Sequence, residues 1–271
     1  EELNQLNDSI HNRLRKSILQ EAIQGKLVPQ IPEERTAQEL LEQIRQEKQK
    51  LVKEGKLKKF ALSDSVIYKG DDNKYYEQVG KSDKEITEEI AFDLPNGWSW
   101  CRLKDICSIF TGATFKKEET VTTKEGVRIL RGGNISPFEL RIKDDDIFLT
   151  KDKVKEDIIL KENDILTPAV TSLENIGKMV RVNSDMPNTT VGGFVFIIRL
   201  YLKNQWLSKY ILYLLSSPFM IDFMKSITNK SGQAFYNIGK ERLSTALLPI
   251  PSLAEQHRIV AQIEKLFEQL R

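Results

Sequence analysis

The residues of this chain that could do chemistry are hydrogen-bond donors and cations set beside glycine or other small residues. Residues 111–117, Thr-Gly-Ala-Thr-Phe-Lys-Lys, place Thr114 ahead of two cations, Lys116 and Lys117. Arg128 follows, and then Arg131-Gly132-Gly133-Asn134. An arginine can hold O6 and N7 of guanine, and an asparagine N6 and N7 of adenine, each through a bidentate pair. The glycines would let the backbone approach a duplex closely. A third stretch, residues 171–178, offers Thr171, Ser172, Asn175 and Lys178. A fourth, residues 229–237, offers Lys230, Gln233, Tyr236 and Asn237, with Phe235 beside them. Such groups suit a nucleic acid, where phosphate contacts position the protein and base-edge contacts specify sequence. Taken singly, each stretch also reads as a surface turn, and Phe235 and Tyr236 also read as core residues beneath one. The expectation is four loops on one domain, with Gln233, Tyr236 and Asn237 facing a duplex rather than the core.

Bond-making chemistry has less support. Adenine methylation needs a Gly-rich cofactor loop and a short Asx-Pro-Pro-aromatic motif, and neither is present. Gly132-Gly133 and Gly192-Gly193 lack the G-x-G-x-x-G spacing, and no G-x-x-x-x-G-K-[ST] phosphate loop occurs. Glu54-Gly55-Lys56 and Asp72-Asn73-Lys74 have the acidic-x-Lys spacing of a metal-dependent nuclease. Both lie outside the expected globular domain and lack an upstream Pro-Asp partner. Asp144-Asp145-Asp146 reads as a solvated turn, and His257 has no Ser or Cys partner identifiable in the sequence. The expectation is a chain without catalytic residues or metal ligands.

The elements that must position these donors follow from length and pattern. A chain of 271 residues holds one large domain, or a domain with helical extensions. With 41 Lys and Arg against 39 Asp and Glu, the net charge of +2 excludes a strongly basic tail-type binder but not a local basic patch. Cys101 and Cys107 fit neither a disulfide framework nor a zinc pattern, which points to a reducing cytoplasm. No signal peptide or long apolar span is present, so no membrane is expected. The chain begins at Glu1 and ends at Arg271 within a heptad-like pattern. Both ends read as cuts through helices, so a fragment of something longer is expected.

Leu3, Leu6, Ile10, Leu14, Ile18 and Ala22 recur in steps of three and four, a helix with one apolar face that Gly25 and Pro29 end. Residues 32–55 read as a second helix with a Thr36–Glu39 capping box. Its lysines, from Lys48 to Lys59, read as a solvated end. Residues 60–92 are polar, with a short hairpin of Ile67-Tyr68 against residues 75–79 around Gly70-Asp71-Asp72-Asn73. Residues 98–249 carry short runs rich in β-branched and aromatic residues, at 108–110, 127–130, 147–149, 158–160, 164–166, 178–182 and 194–200. One helical stretch, about 208–225, interrupts them. The coarse result is an α+β fold, a mixed globular domain flanked by long amphipathic helices with coiled-coil-like packing.

The last stretch, residues 248–260, is Leu-Pro-Ile-Pro-Ser-Leu-Ala-Glu-Gln-His-Arg-Ile-Val. Its prolines favour an extended chain, and Ser252 with Glu255 reads as a capping box. Ile259, Ile263, Leu266 and Leu270 then form a narrow seam, expected to pair with Leu6, Ile10, Leu14 and Ile18 of the first helix. This wording resembles the signature that follows a target recognition domain in the DNA-specificity subunits of type I restriction-modification enzymes. Residues 14–30, Leu-Arg-Lys-Ser-Ile-Leu-Gln-Glu-Ala-Ile-Gln-Gly-Lys-Leu-Val-Pro-Gln, resemble the end of those subunits' central conserved region. Residues 94–103, Leu-Pro-Asn-Gly-Trp-Ser-Trp-Cys-Arg-Leu, are similar to the start of their recognition domains. The Tyr-Lys-Gly-Asp-Asp segment from Tyr68 and the Tyr75-Tyr76-Glu77 that follows also have counterparts there.

The resemblance implies a conserved helical region over residues 1–56, a linker over 57–94, a target recognition domain over 95–250 and the start of a second conserved helix over 251–271. It implies a non-catalytic subunit, or half of one, that reads one half of a bipartite site in double-stranded DNA and needs no cofactor. Methyl transfer and ATP-driven cleavage would belong to partner modification and restriction subunits, which bring S-adenosylmethionine, ATP and magnesium. With one recognition domain present, a homodimer of half-subunits is expected, its spacer set by about 1.5 Å per helical residue. The competing arrangement is a monomer whose two end helices pack antiparallel. The competing functions are a nuclease or methyltransferase with its own reader, and a structural coiled-coil adaptor.

Overall fold

The computed structural model describes residues 2–121, 125–232 and 234–270, so Gln233 lies outside the described residues, as does the side chain of Leu3. The chain forms two compact units. The first joins Glu1–Ile106, Ser217–Phe219 and Thr245–Arg271, and the second joins Cys107–Ser216 and Met220–Ser244. Among the described residues no helix is long and apolar enough to cross a membrane.

In the first unit the periodic N-terminal row becomes a helix, Glu2–Ile23. Gly25 takes φ 69°, and the N–H groups of Gly25 and Lys26 donate to the carbonyls of Ala22 and Glu21, closing the helix end. A Cβ at Gly25 would lie 2.3 Å from Pro95 Cγ, so glycine serves both the turn and a close approach. The last helix, Leu253–Glu268, runs antiparallel to the first. Arg258 near its start binds Glu34 through two nitrogens, at 2.9 and 2.8 Å, and Arg15 Nη2 donates to the Leu270 carbonyl near its end at 2.8 Å. Ile259 and Ile263 are fully buried, Ile18, Leu266 and Leu270 are half-buried, and Leu6, Ile10 and Leu14 stay exposed at 54, 39 and 45%.

Several local expectations are corrected in this unit. The helix Ala37–Lys53 has Thr36 at its cap without a side-chain hydrogen bond. The Ala37 N–H, another first-turn donor, is satisfied by the Gly97 carbonyl at 2.8 Å. Lys48 is buried rather than solvated, and pairs with Asp64, while Lys50, Lys53, Lys56, Lys58 and Lys59 are exposed. Ser252 does cap its helix, accepting from the Glu255 N–H at 3.2 Å. Glu255 does not fold back; its carboxylate accepts from Gln30 Nε2 at 2.6 Å and Trp98 Nε1 at 3.0 Å.

The polar stretch expected as a linker holds the expected hairpin, with Tyr68 opposite Tyr76 and Asn73 at φ 64° in its turn. It also carries a third antiparallel strand, Ser82–Glu85. Glu77 on the middle strand meets Arg102 on the strand Ser99–Arg102, which pairs in turn with Leu247–Ile250. Arg102 is buried between Glu77 at 2.7 Å and Glu89 at 2.8 Å.

The second unit contains two four-stranded sheets. One orders Thr189–Val191, Val127–Leu130, Ile147–Leu149 and Thr120–Val121; the other orders Val180–Arg181, Ile165–Pro168, Val195–Leu200 and Cys107–Thr111. Leu130, Val191, Leu166 and Ile197, drawn from both sheets, share one core cluster. Residues 158–160, expected as a strand, instead end a 3-10 turn, Glu156–Ile158, and leave it, with Leu160 plugging the core. The expected single helix is two, Gln205–Leu215 and Pro218–Ser226. The break falls at Ser216-Ser217, because Pro218 has no N–H to continue the ladder but suits a helix start. Cys101 and Cys107 are both buried.

Candidate nucleic-acid interface

Strand direction in the second unit gathers the donor-bearing stretches at one rim. Val127–Leu130 and Thr189–Val191 run parallel, so Arg131 and Gly192 leave the sheet side by side. In the other sheet Thr111 lies opposite Phe196 and Pro168 opposite Val195. The exits of Cys107–Thr111 and Ile165–Pro168 therefore meet the start of Val195–Leu200. The two sheets are joined at this rim. Ala113 bridges Gly192, its N–H donating to the Val191 carbonyl at 2.8 Å, and the Gly192 N–H donates to the Leu130 carbonyl at 2.8 Å. A Cβ at Gly112 would sit 1.8 Å from the Val191 oxygen, so this crossing requires glycine.

The first stretch presents Thr114, Lys116 and Lys117 exposed on the rim. The Lys116 N–H donates to Glu119 Oε2 at 2.7 Å, and this bond leads the set that holds the Glu119 carboxyl below its ordinary pKa. The turn is thereby fixed while both lysine side chains stay in solvent.

The second stretch divides sharply. Arg131 is half exposed, its Nη2 donating to the Asp145 carbonyl at 3.2 Å and to Asp145 Oδ2 at 3.4 Å. Asn134 is 1% exposed. It accepts from the Arg131 N–H at 2.7 Å and donates to the Arg141 carbonyl at 2.8 Å and Asp146 Oδ1 at 2.6 Å. Asn134 thus has neither access nor amide protons for adenine, and its expected base-reading role is corrected. Arg128 is also engaged, bound to Asp146 Oδ2 at 2.9 Å with its guanidinium 4.8 Å from the centre of the Phe148 ring. Asp146 is buried, not solvated as its acidic run suggested. Burial pushes its carboxyl up, but the Lys143 N–H, Asn134 and Arg128 outweigh that and hold it below the usual carboxylate range.

In the third stretch Thr171 is buried within the strand Val170–Thr171, which corrects its expected place on an exposed loop. Ser172 donates to Glu174 Oε1 at 3.0 Å and receives a 2.9 Å bond from Asn175 Nδ2, forming a self-contained turn. Lys178 is half-buried beyond Gly177, which takes φ 91°.

The fourth stretch is a hairpin rather than a loop, Thr228–Ser231 with Phe235–Ile238, and it pairs with Val170–Thr171. Alternation assigns the faces. Lys230, Tyr236 and Thr171 share the face of buried Ile238, although Lys230 reaches solvent and Tyr236 is half-buried. Asn237 stands directly opposite Asn229 on the other face, and both are exposed. Asn237 is thus on the exposed face, whereas Tyr236 is partly on the core side.

Two rim residues were not foreseen. Lys143 is exposed, with its Nζ 3.3 Å from where a Gly133 Cβ would stand. Phe194 follows Gly192-Gly193 and is 74% exposed. The sequence signal for Phe194 is the glycine pair just before a strongly apolar strand. Among the described residues no group of three or more His, Cys, Asp or Glu side chains is placed to hold a metal.

Residues 95–271 match the family described as the Type I restriction modification DNA specificity domain. The chain belongs to that family. As a specificity-domain chain it is 32% identical to the type I restriction enzyme EcoAI specificity subunit of Escherichia coli, over 94% of this chain and 39% of that subunit. It is 27% identical to the EcoEI specificity subunit of the same organism, over 94% of this chain and 40% of that subunit. The chain thus spans about two fifths of the length of these relatives. Among solved structures, the HsdS subunit from Thermoanaerobacter tengcongensis aligns with a TM-score of 0.48 at 18% identity, over 86% of this chain and 48% of that one. Within the specificity domain, the matched segment includes the rim and the capped last helix.

Proposed function

We propose that this chain reads one half of a bipartite site in double-stranded DNA, as a non-catalytic specificity element that directs partner modification and restriction subunits. The observation that carries this reading is the rim. Parallel and antiparallel pairing deliver Thr114, Lys116, Lys117 and Arg131 to one end of the second unit, in a chain of the specificity-domain family. Arg131 is the rim side chain best suited to a guanine edge, being half exposed and held by Asp145 at 3.2 and 3.4 Å. Lys116 and Lys117 suit phosphates. Asn237 supplies an exposed amide on the adjoining hairpin. Arg128, Asn134 and Thr171 serve as the scaffold that holds these donors.

The exposed row Leu6, Ile10 and Leu14 supports a second element of the proposal, that another helix covers it. A second copy of this chain supplies such a helix through a two-fold pair. Selection of preferred duplexes from a random pool, followed by binding across a salt series, tests the main reading. Enrichment of a short motif, with affinity falling as salt rises, is expected. Equal retention of all duplexes would overturn it.

A further inference from the structure

Phe194 is the most exposed large apolar side chain described in this protein, yet its backbone is fixed on both sides. The Val195 N–H donates to the Gly192 carbonyl at 3.1 Å across the turn, and the Ala169 N–H donates to the Phe194 carbonyl at 2.8 Å. Gly192 is itself tied to Leu130, one residue before Arg131. A Cβ at Gly193 would stand 3.0 Å from Thr114 Oγ1, so the turn also abuts Thr114. The strand that follows, Val195–Leu200, is almost wholly buried, which anchors the aromatic at the edge of the core. Its exposure therefore comes from a braced turn, not from a loose loop. It is set among the donors of the candidate interface, next to the chain exits that carry Thr114 and Arg131.

We propose that Phe194 is an apolar specificity contact, a ring that enters the duplex groove and touches bases while the neighbouring cations hold phosphates. This rests on the DNA-reading function proposed above. A phenyl ring can pack on a thymine methyl or wedge against a base step, and both favour particular sequences. It carries no charge and releases no counterion, so its contribution is independent of salt. With 74% of its surface exposed the side chain contributes little to the core, so replacing it should leave the fold intact.

The test selects duplexes from a random pool with the 271-residue chain, and in parallel with Phe194→Ala and Phe194→Leu variants of unchanged melting temperature. Phe194→Ala is expected to lose sequence preference at one or two positions of the wild-type motif. It should bind the wild-type consensus duplex about five- to a hundredfold more weakly, with an unchanged salt slope. Phe194→Leu should retain part of that preference. An identical motif and affinity for Phe194→Ala, while the wild type still selects a motif, would overturn this proposal alone. If the wild type selects no motif, the DNA-reading function fails and this contact with it.

Discussion

The Trp98 indole donates to Glu255 Oε2 at 3.0 Å, joining the segment ahead of the first Trp-rich strand to the first turn of the last helix. Gln30 binds the other carboxylate oxygen, so three separate chain segments converge on one buried acid. Burial pushes the Glu255 carboxyl above its ordinary pKa, against the lowering effect of Gln30 and Trp98. An acid raised in the folded state favours folding most below its unfolded pKa. That contribution is lost as pH rises through the folded value. Glu255→Gln should therefore flatten the fall in melting temperature between about pH 4 and neutrality. Parallel melting curves for the two proteins over that range would count against this role.

Arg102 presents the opposite case. Burial raises the Glu77 carboxyl, but paired hydrogen bonds from Arg102 more than reverse this and leave it lowered. Stability from Glu77 is thus present above the unfolded carboxylate pKa and lost as pH falls through the folded value. Arg102→Met should cost about 3–5 kcal/mol at neutral pH, because it strands a buried carboxylate. Urea denaturation measures the loss, and acidification should narrow the gap between variant and parent.

Asn134 and Arg131 lie three residues apart, and the structure gives them different surroundings, one buried and one half exposed. Asn134→Ala should destabilise the chain by about 1–3 kcal/mol, since it leaves Asp146 and the Arg131 N–H short of partners. Arg131→Ala should leave the melting temperature unchanged and weaken a selected duplex by about 1–3 kcal/mol. Calorimetry with fluorescence anisotropy separates the two. An Asn134→Ala protein of native stability that no longer binds DNA would return Asn134 to the base-reading set.

Asp145 holds the guanidinium that the proposed function assigns to DNA, so the two would compete for Arg131. Asp145→Asn removes a negative charge from the rim and weakens that competition, so affinity for any duplex should rise, most visibly at low salt. Lys116→Ala should act in the reverse direction, weakening all sequences alike and reducing the salt slope by about one. Binding isotherms at several salt concentrations check both, and an Asp145→Asn protein with weaker binding would contradict the competition.

Assembly is best probed on the first helix. Ile263 is fully buried within its own unit, so Ile263→Asp should destabilise the chain whatever its oligomeric state. Ile10 lies on the exposed row, so Ile10→Asp should preserve the fold and dissolve a dimer. Sedimentation at micromolar concentration decides the matter. A parent chain that is already monomeric removes the second copy from the proposal.

The sequence alone determined the features that depend on neighbours in the chain. Period determined the end helices, Gly25 the end of the first one, Ser252 the cap of the last, and Gly70-Asp71-Asp72-Asn73 the hairpin turn. Each rests on a local propensity or a bond spanning a few residues. The family wording at residues 94–103 and 248–260 was also legible, because it is carried by adjacent residues. The tertiary structure decided which polar groups remain available. Asn134 and Arg131 look alike as donors in the sequence, but burial beside Asp146 consumes one and leaves the other in solvent. Asp146 and Lys48 read as solvated charges until partners 18 and 16 residues away enclosed them. Phe194 read as the first residue of a buried strand, and only the bracing of its turn by Leu130 and Ala169 put it outside. These outcomes share one physical reason. Exposure and hydrogen-bond satisfaction are set by packing and pairing between separate segments, and a single chain's local pattern does not encode those partners.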